Sequence, residues 1–473
     1  MKRKEFWVSF WMWISISGVF FNYGKSPVNF ETGKIIEKVV CRTDPQQSYA
    51  LYLPPGYSVD KKWPIIYAFD PGAQGPVPLR HFKAAAGKYG YIIVGSNNSR
   101  NGPWEPIYQA GRAMWLDTRE RFSIDDNRVY AAGFSGGSRA ASTFQYIIKR
   151  PAAGIIGCGA GLDVNLKPGM IKSALYYGMI GLADFNYREM MRLDKDLDAA
   201  DVEHRVLVFD GGHQWPPEEY CLQALEWMEI NAIKKGLKQK DEQLVADLYK
   251  KTLDRAQNLE LSKNIFFVVS AYQSAQQLFN GLVDITKLEN KTRQLAESRE
   301  YKTFQKKEQR RNKKEADFIG IFARVTERLK NSNLVDIPGQ AVLFRDLKIR
   351  YLQEEANKAD IYDRALAQRL LTELRIHTFR DGTGYLQKGD FHRAGIFLEI
   401  AARAGDYRPN IIYNQACVYS RVKNKKKALN YLKQAIKKGF NDFELLKKDK
   451  DLDFIRNEKE FQEIIKQLKK DRQ

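Results

Sequence analysis

Arg128-Val129-Tyr130-Ala131-Ala132-Gly133-Phe134-Ser135-Gly136-Gly137-Ser138 is an apolar, strand-like run that passes directly into G-x-S-x-G and then into small residues suited to a helix start. A serine at such a strand-to-helix turn stands clear of the sheet with its hydroxyl exposed. The turn is so tight that the positions two residues either side, Gly133 and Gly137, must be small. The N–H that follows the serine, that of Gly136, lies at a helix N-terminus, where it can stabilise an oxyanion. The stretch therefore reads as a nucleophile elbow with Ser135 as the nucleophile.

Outward from the elbow, between residues 45 and 236, short β-branched or aromatic runs alternate with helical patterns. The expected strands are Tyr49–Leu53, Ile65–Phe69, Tyr91–Gly95, Arg128–Ala132, Gly154–Gly159, Ala174–Ile180 and Arg205–Phe209. Several are apolar throughout, as strands of a parallel sheet covered on both faces should be. The expected fold class is α/β, an α/β-hydrolase with a mostly parallel sheet, followed by an all-α region.

A serine nucleophile needs a base, and this stretch holds only His81, His204 and His213. His213, in Asp210-Gly211-Gly212-His213-Gln214-Trp215-Pro216, follows the last expected strand and so shares the elbow's edge of the sheet. His204 precedes that strand, and His81 falls in the first helix; both read as structural. In this chain order the acid lies between serine and histidine, after the penultimate strand, which selects Asp184. Asp163 follows an earlier strand, Asp194 and Asp196 fall in a helix, and Asp210 is the rival. The second oxyanion donor belongs in the loop Asp70-Pro71-Gly72-Ala73-Gln74-Gly75; Pro71 has no N–H, leaving Gly72 or Ala73. The polar loop Ser96-Asn97-Asn98-Ser99-Arg100-Asn101-Gly102 follows another strand at the same edge, so Asn97 and Asn98 are candidate substrate contacts, together with Trp215.

These motifs resemble those of α/β-hydrolases of the poly(3-hydroxybutyrate) depolymerase and feruloyl esterase type, in the Asn127–Tyr130 strand, the Gly133–Gly137 elbow and the Gly211–Pro216 terminus. The resemblance covers about 190 residues and implies a compact, lidless serine esterase with Ser135, Asp184 and His213 as its triad. The departure is Asp70-Pro71-Gly72, where that group often has His-Gly. The chemistry implied is acyl transfer through an acyl-enzyme on Ser135 to water, with no metal or organic cofactor.

Beyond residue 236 the pattern becomes helical, with Pro338 the one proline before residue 376 and amphipathic stretches at Ile265–Ile285 and Glu300–Lys330. Near the end the chain matches itself at a shift of 34: Gly382 with Ala416, Tyr385 with Tyr419, Ala394 with Ala428, Leu398 with Leu432 and Ala401 with Ala435. That is the tetratricopeptide period, in which small residues let paired helices approach closely. The resemblance implies protein or peptide contacts. At the other end Lys2-Arg3-Lys4 precedes an apolar run from Phe6 to Phe21, the layout of a secretory signal peptide or, if uncleaved, a membrane anchor. The expected organisation is a leader at 1–24, a catalytic domain at 25–236, a helical linker or repeat-like region at 237–376 and tetratricopeptide repeats at 377–473. The protein is then periplasmic or secreted.

The chain has 473 residues, 77 Lys+Arg against 57 Asp+Glu and a net charge of +20, so a polyanion partner has to be considered. The densest basic stretch, Lys306–Lys314, falls in a helical pattern with Glu308 and Glu315 interspersed and reads as a solvated face, so no nucleic-acid partner is expected. Gly157-Cys158-Gly159-Ala160-Gly161 lacks the rest of a dinucleotide fingerprint. Cys41, Cys158, Cys221 and Cys417 have no metal-ligand spacing; Cys41 and Cys221 could pair. The expected partner of the catalytic domain is a small-molecule or polymeric ester. Two other readings stay open: a serine peptidase with the same triad, and a repeat scaffold whose hydrolase domain is inactive.

Overall fold

The computed structural model describes residues 30–262, 264–332, 340–405 and 407–470; the expected leader at 1–24 lies outside them. The first half runs β1 (Ile35–Val40), β2 (Ser48–Tyr52), β3 (Trp63–Phe69), α1 (Pro76–Tyr89), β4 (Ile92–Ser96), α2 (Trp104–Arg121), β5 (Ile124–Phe134), α3 (Gly136–Ile147), β6 (Gly154–Cys158), β7 (Leu175–Gly181), α4 (Tyr187–Ala199), β8 (His204–Phe209) and α5 (Glu218–Lys234). The strands form one eight-stranded sheet in the order β1-β2-β4-β3-β5-β6-β7-β8. β1 and β2 pair antiparallel with their neighbours and the rest are parallel. This is the α/β-hydrolase sheet that the sequence pattern leads one to expect. The central strands β2 to β7 are buried on both faces, apart from the polar start of β5, and helices supply the cover. One strand, β1, has no counterpart among the sequence expectations: its Ile35-Ile36-Glu37-Lys38-Val39-Val40 run is an exposed edge that buries only Val39.

The second half is all helix: α6 (Glu242–Leu261), α7 (Ile265–Phe279), α8 (Thr286–Glu297), α9 (Arg299–Asn331), α10 (Gln340–Asp346), α11 (Ile349–Glu355), α12 (Ile361–Gln387), α13 (Phe391–Ala404), α14 (Pro409–Arg421), α15 (Lys425–Lys437), α16 (Phe443–Lys448) and α17 (Lys459–Lys470). Among the described residues no helix is long and apolar enough to cross a membrane. The shift of 34 maps onto two helix pairs, α12–α13 and α14–α15, and extends to their turns. Gly389 and Lys423 both take the left-handed conformation, at φ 79° and 59°. The next residues, Asp390 and Asn424, cap the second helix of each pair by accepting from the N–H of Arg393 and Lys427. The small residues sit where the helices touch: a Cβ on Gly382 would lie 2.9 Å from Leu398 Cγ, and Ala394, Ala416, Ala428 and Ala435 are fully buried.

The two halves share their cores. Val245, Leu248, Val268, Tyr272 and Phe279 of α6 and α7 belong to the same buried cluster as Trp227 and Ile230 of α5. Ala365 of α12 joins the cluster on the opposite face of the sheet, with Phe266, Phe267, Ile361 and Tyr362 packed against it. The helices thus wrap the β8 edge, which would otherwise offer unpaired backbone to another strand.

Glu226 ties α5 to α6. Its carboxylate accepts from Tyr89 Oη at 2.9 Å, Lys251 Nζ at 2.5 Å and Arg255 Nη1 at 2.6 Å, and it is 4% exposed. Burial pushes this carboxyl up, but the hydrogen bonds and charges of Arg255 and Lys251 outweigh it and hold the group below its ordinary value. A carboxyl lowered on folding contributes stability above its unfolded value, about 4.3, and loses it as pH falls through the lower folded value. The urea-midpoint gap between the wild type and Glu226→Gln should therefore be constant above about pH 5.5 and shrink below about pH 4.3. A gap that did not change with pH would mean that folding leaves the Glu226 carboxyl at its ordinary value, and a gap that grew as pH fell would mean that burial outweighs its cationic partners.

Candidate active site

The register of the parallel strands brings the C-terminal ends of β3, β5, β6, β7 and β8 to one edge, with Phe69 beside Gly133, Phe134 beside Cys158 and Gly181 beside Phe209. The loops carrying Asp70, Ser135, Asp184 and His213 leave from this edge. The elbow is as tight as its sequence implies. Ser135 sits at φ 54°, ψ −121°, in the left-handed half of the map that a non-glycine residue adopts at a cost. A Cβ on Gly133 would fall 2.0 Å from the Gly137 carbonyl oxygen, and one on Gly137 2.0 Å from that of Phe69. The Ser135 N–H donates to the Cys158 carbonyl at 2.8 Å and Ser138 Oγ donates to the Ala160 carbonyl at 2.7 Å, pinning the turn to β6 and its following loop.

His213 reaches both partners: Nε2 lies 3.0 Å from Ser135 Oγ and Nδ1 lies 2.8 Å from Asp184 Oδ2. Asp184 is fully buried, and its other oxygen accepts from the Asn186 N–H at 2.9 Å. The Phe134 and Phe185 rings flank the imidazole, with centroids 4.6 Å and 4.3 Å away. Asp210, the rival acid, is exposed and lies 3.9 Å from Arg364 on α12. The other two histidines sit apart from the site. His204 is buried, with Nδ1 2.8 Å from the Val202 carbonyl and Nε2 against Asp194, and His81 stacks on Trp215 at 5.7 Å.

The oxyanion region departs from expectation. Gly136 N–H, at the first position of α3, has no acceptor among the described residues. The Gly72 N–H instead donates to Asp70 Oδ1 at 2.8 Å and the Ala73 N–H to the Asp70 carbonyl at 3.1 Å. The cause is the aspartate at the head of this loop. Asp70 is buried, and its second oxygen accepts from Trp215 Nε1 at 2.9 Å, so Trp215 braces the loop and does not line the cleft.

Asn97 and Asn98 also serve the frame. Asn97 Nδ2 donates to the Glu37 carbonyl at 3.1 Å, and Asn98 accepts from the Ser48 N–H at 2.9 Å and donates to the Gln46 carbonyl at 3.1 Å. Both lie in a separate depression beside β1 and β2. The residues of that loop that do reach the cleft are Asn101 and Gly102. A Cβ on Gly136 would fall 1.8 Å from Asn101 Oδ1 and 3.1 Å from Nδ2, so the amide occupies the space a side chain at 136 would fill. The Asn101 N–H donates to the Pro71 carbonyl at 2.9 Å, joining the two loops. The signal for Asn101 in the sequence was the glycine directly after Ser135, which leaves room that some neighbour must occupy.

The cleft over Ser135 has a volume of about 750 Å³, within the range of small-molecule sites. Trp104, Ile107, Tyr146, Leu166 and Met170 give it an apolar rim. Arg139 in its wall is engaged, donating to Glu189 at 2.8 Å and to the Leu162 carbonyl at 2.7 Å. All four cysteines are free and buried; burial pushes the Cys41 thiol up to about 12.

No protein-family model matches the chain. Among curated proteins it is 38% identical over 56 residues to a chloroplastic protein of Arabidopsis thaliana, a match covering 12% of this chain and 17% of that protein. Similar solved structures include a ferulic acid esterase, at 16% identity and a TM-score of 0.35, covering 41% of this chain and 96% of that one. The S-formylglutathione hydrolase FrmB of Staphylococcus aureus is 13% identical with a TM-score of 0.35, over 42% of this chain and 98% of that one. Esterase 2 of Thermogutta terrifontis is 12% identical with a TM-score of 0.34, over 43% and 96%. At these scores the likenesses assign no activity to this chain.

Proposed function

We propose that the protein is a serine hydrolase acting on carboxylic esters with an apolar acyl or alcohol group. The observation that carries this reading is the hydrogen-bonded chain Ser135 Oγ–His213–Asp184 at 3.0 and 2.8 Å, on an elbow that aims the hydroxyl into an apolar-rimmed cleft. His213 Nε2 takes the Ser135 proton as Oγ bonds to the ester carbonyl carbon, and Asp184 fixes the imidazole tautomer and stabilises its cation. His213 then protonates the leaving alkoxide, water attacks the acyl-enzyme by the same route, and the acid leaves. The test is labelling by a fluorophosphonate probe with p-nitrophenyl ester turnover beside it. Labelling with ester turnover supports the reading, turnover of peptide anilides in preference to esters moves it to a peptidase, and absence of both leaves a repeat scaffold.

Two groups suit the oxyanion: the free Gly136 N–H and the Asn101 side chain. A half-turn of the Asn101 amide brings Nδ2 to where Oδ1 now lies against Gly136, and the amide has no hydrogen-bond partner among the described residues. Removing one preorganised donor costs about 10²–10³ in kcat. Asn101→Ala should lower kcat by that factor with little change in KM. Gly136→Ala should do the same by driving the amide out with its Cβ. Full activity in Asn101→Ala would return the role to Gly72 or Ala73 after a loop rearrangement.

The basic-then-apolar start of the sequence supports export of this enzyme, and the helix pairs of the second half support a protein or peptide contact as their role.

A further inference from the structure

Where the helices wrap the sheet edge, they leave a second cavity of about 670 Å³ between β8, α5, α6 and α7, sharing no lining residue with the Ser135 cleft. Its lining mixes apolar and polar side chains: Leu207, Phe209, Trp227, Phe267 and Leu278 supply an apolar part, and Arg205 of β8 is among the charged residues. Of the other charged lining residues, Glu226 holds Lys251 and Arg255, Asp210 lies 3.9 Å from Arg364, and Glu219 is exposed and forms no ion pair among the described residues. Arg205 forms no ion pair among the described residues. Its Nε is buried with no acceptor, and its guanidinium lies 5.7 Å over the ring of Tyr177, itself 5.5 Å from Trp227. A partly exposed guanidinium with no ion-pair partner in the protein is open to a ligand anion. A planar guanidinium suits paired N–H···O bonds to a planar carboxylate.

We propose that this cavity binds an amphipathic monocarboxylate, with the carboxylate on Arg205 and the apolar chain against Trp227, Phe267 and Leu278. The site stands independently of the reaction at Ser135. Decanoate, kept below its micellar concentration, is the probe, titrated by calorimetry into the full chain, with decan-1-ol as the uncharged comparison. One saturable decanoate site is expected. Arg205→Gln should weaken it at least tenfold, as loss of a charge-assisted pair implies, while leaving decan-1-ol binding unchanged. Ala271→Phe, which fills the cavity, should abolish both. Absence of saturable decanoate binding to the wild type, or equal decanoate affinity in wild type and Arg205→Gln, overturns the proposal. Since Arg205 is partly exposed and unpaired, its replacement decides the matter even if Ala271→Phe fails to fold.

Discussion

Ser135→Ala is expected to lower ester turnover by about 10⁴-fold or more and to abolish fluorophosphonate labelling, while the fold stays intact. The magnitude follows from the proposed mechanism: without Oγ there is no acyl-enzyme, and only binding and the oxyanion donors remain to assist water. Stability should scarcely change, because the Ser135 side chain makes no capping bond to α3, and alanine pays the same penalty at φ 54° as serine. Ser135→Gly adds an internal check. Glycine adopts positive φ freely, so this variant should be as inactive as Ser135→Ala yet more stable, by up to about 1 kcal/mol. His213→Ala should cost nearly as much as Ser135→Ala, and the double variant little more, because the two groups act as one unit. Turnover surviving in Ser135→Ala would move the chemistry away from the elbow.

What the sequence made legible follows from how strongly each residue's surroundings constrain it. The central strands could be read because burial on both faces demands unbroken apolar runs, and the elbow because its backbone contacts admit only glycine at 133 and 137. Chain order together with the place after the penultimate strand pointed to Asp184, and the structure puts it 2.8 Å from His213. β1 could not be read: an exposed edge strand needs no apolar alternation, and Glu37 and Lys38 hide it. Asn97, Asn98 and Asn101 are equivalent as a polar loop in sequence. They are separated only by which backbone groups lie opposite, Glu37, Gln46 and Ser48 for the first two and Gly136 for the third. Trp215 went to the frame because Asp70 offers a buried acceptor for its indole N–H, a pairing across 145 residues that no local pattern carries. The helical half showed its period because close helix approach repeats the same small residues, but its wrapping around β8 depends on single long-range partners.

The chief such partner is Arg369, and Arg369→Met is expected to destabilise the protein by about 3–5 kcal/mol. The guanidinium is 3% exposed. It pairs side-on with Glu315 of α9, through Nε at 3.1 Å and Nη2 at 2.8 Å, and donates from Nη1 to the Leu182 carbonyl at 2.6 Å. It also lies 4.5 Å over the Tyr187 ring. Deleting it strands the buried Glu315 carboxylate, and that desolvated charge, more than the lost attraction, sets the size of the effect. Arg369→Met combined with Glu315→Gln should therefore recover most of the loss in urea midpoint; failure to recover it would mean that Glu315 is not the source. Leu182 stands two residues before Asp184, so the same contact reaches the sheet edge that carries Ser135 and His213. That loop has its own supports, however: Leu182 N–H to the Phe209 carbonyl at 2.7 Å, Ala183 N–H to that of Gly211 at 2.8 Å and Asp184 N–H to that of Gly181 at 3.0 Å. Three retained bonds against one lost should keep kcat of the folded Arg369→Met variant within about tenfold of wild type, since one exchanged hydrogen bond is worth about 1 kcal/mol. A loss of about 10² or more, measured where the variant is fully folded, would show that the helical half holds the acid in place. α12 runs unbroken from Arg369 to Gly382 and Tyr385, so one helix joins the contact at Leu182 to the first of the two helix pairs related by the shift of 34.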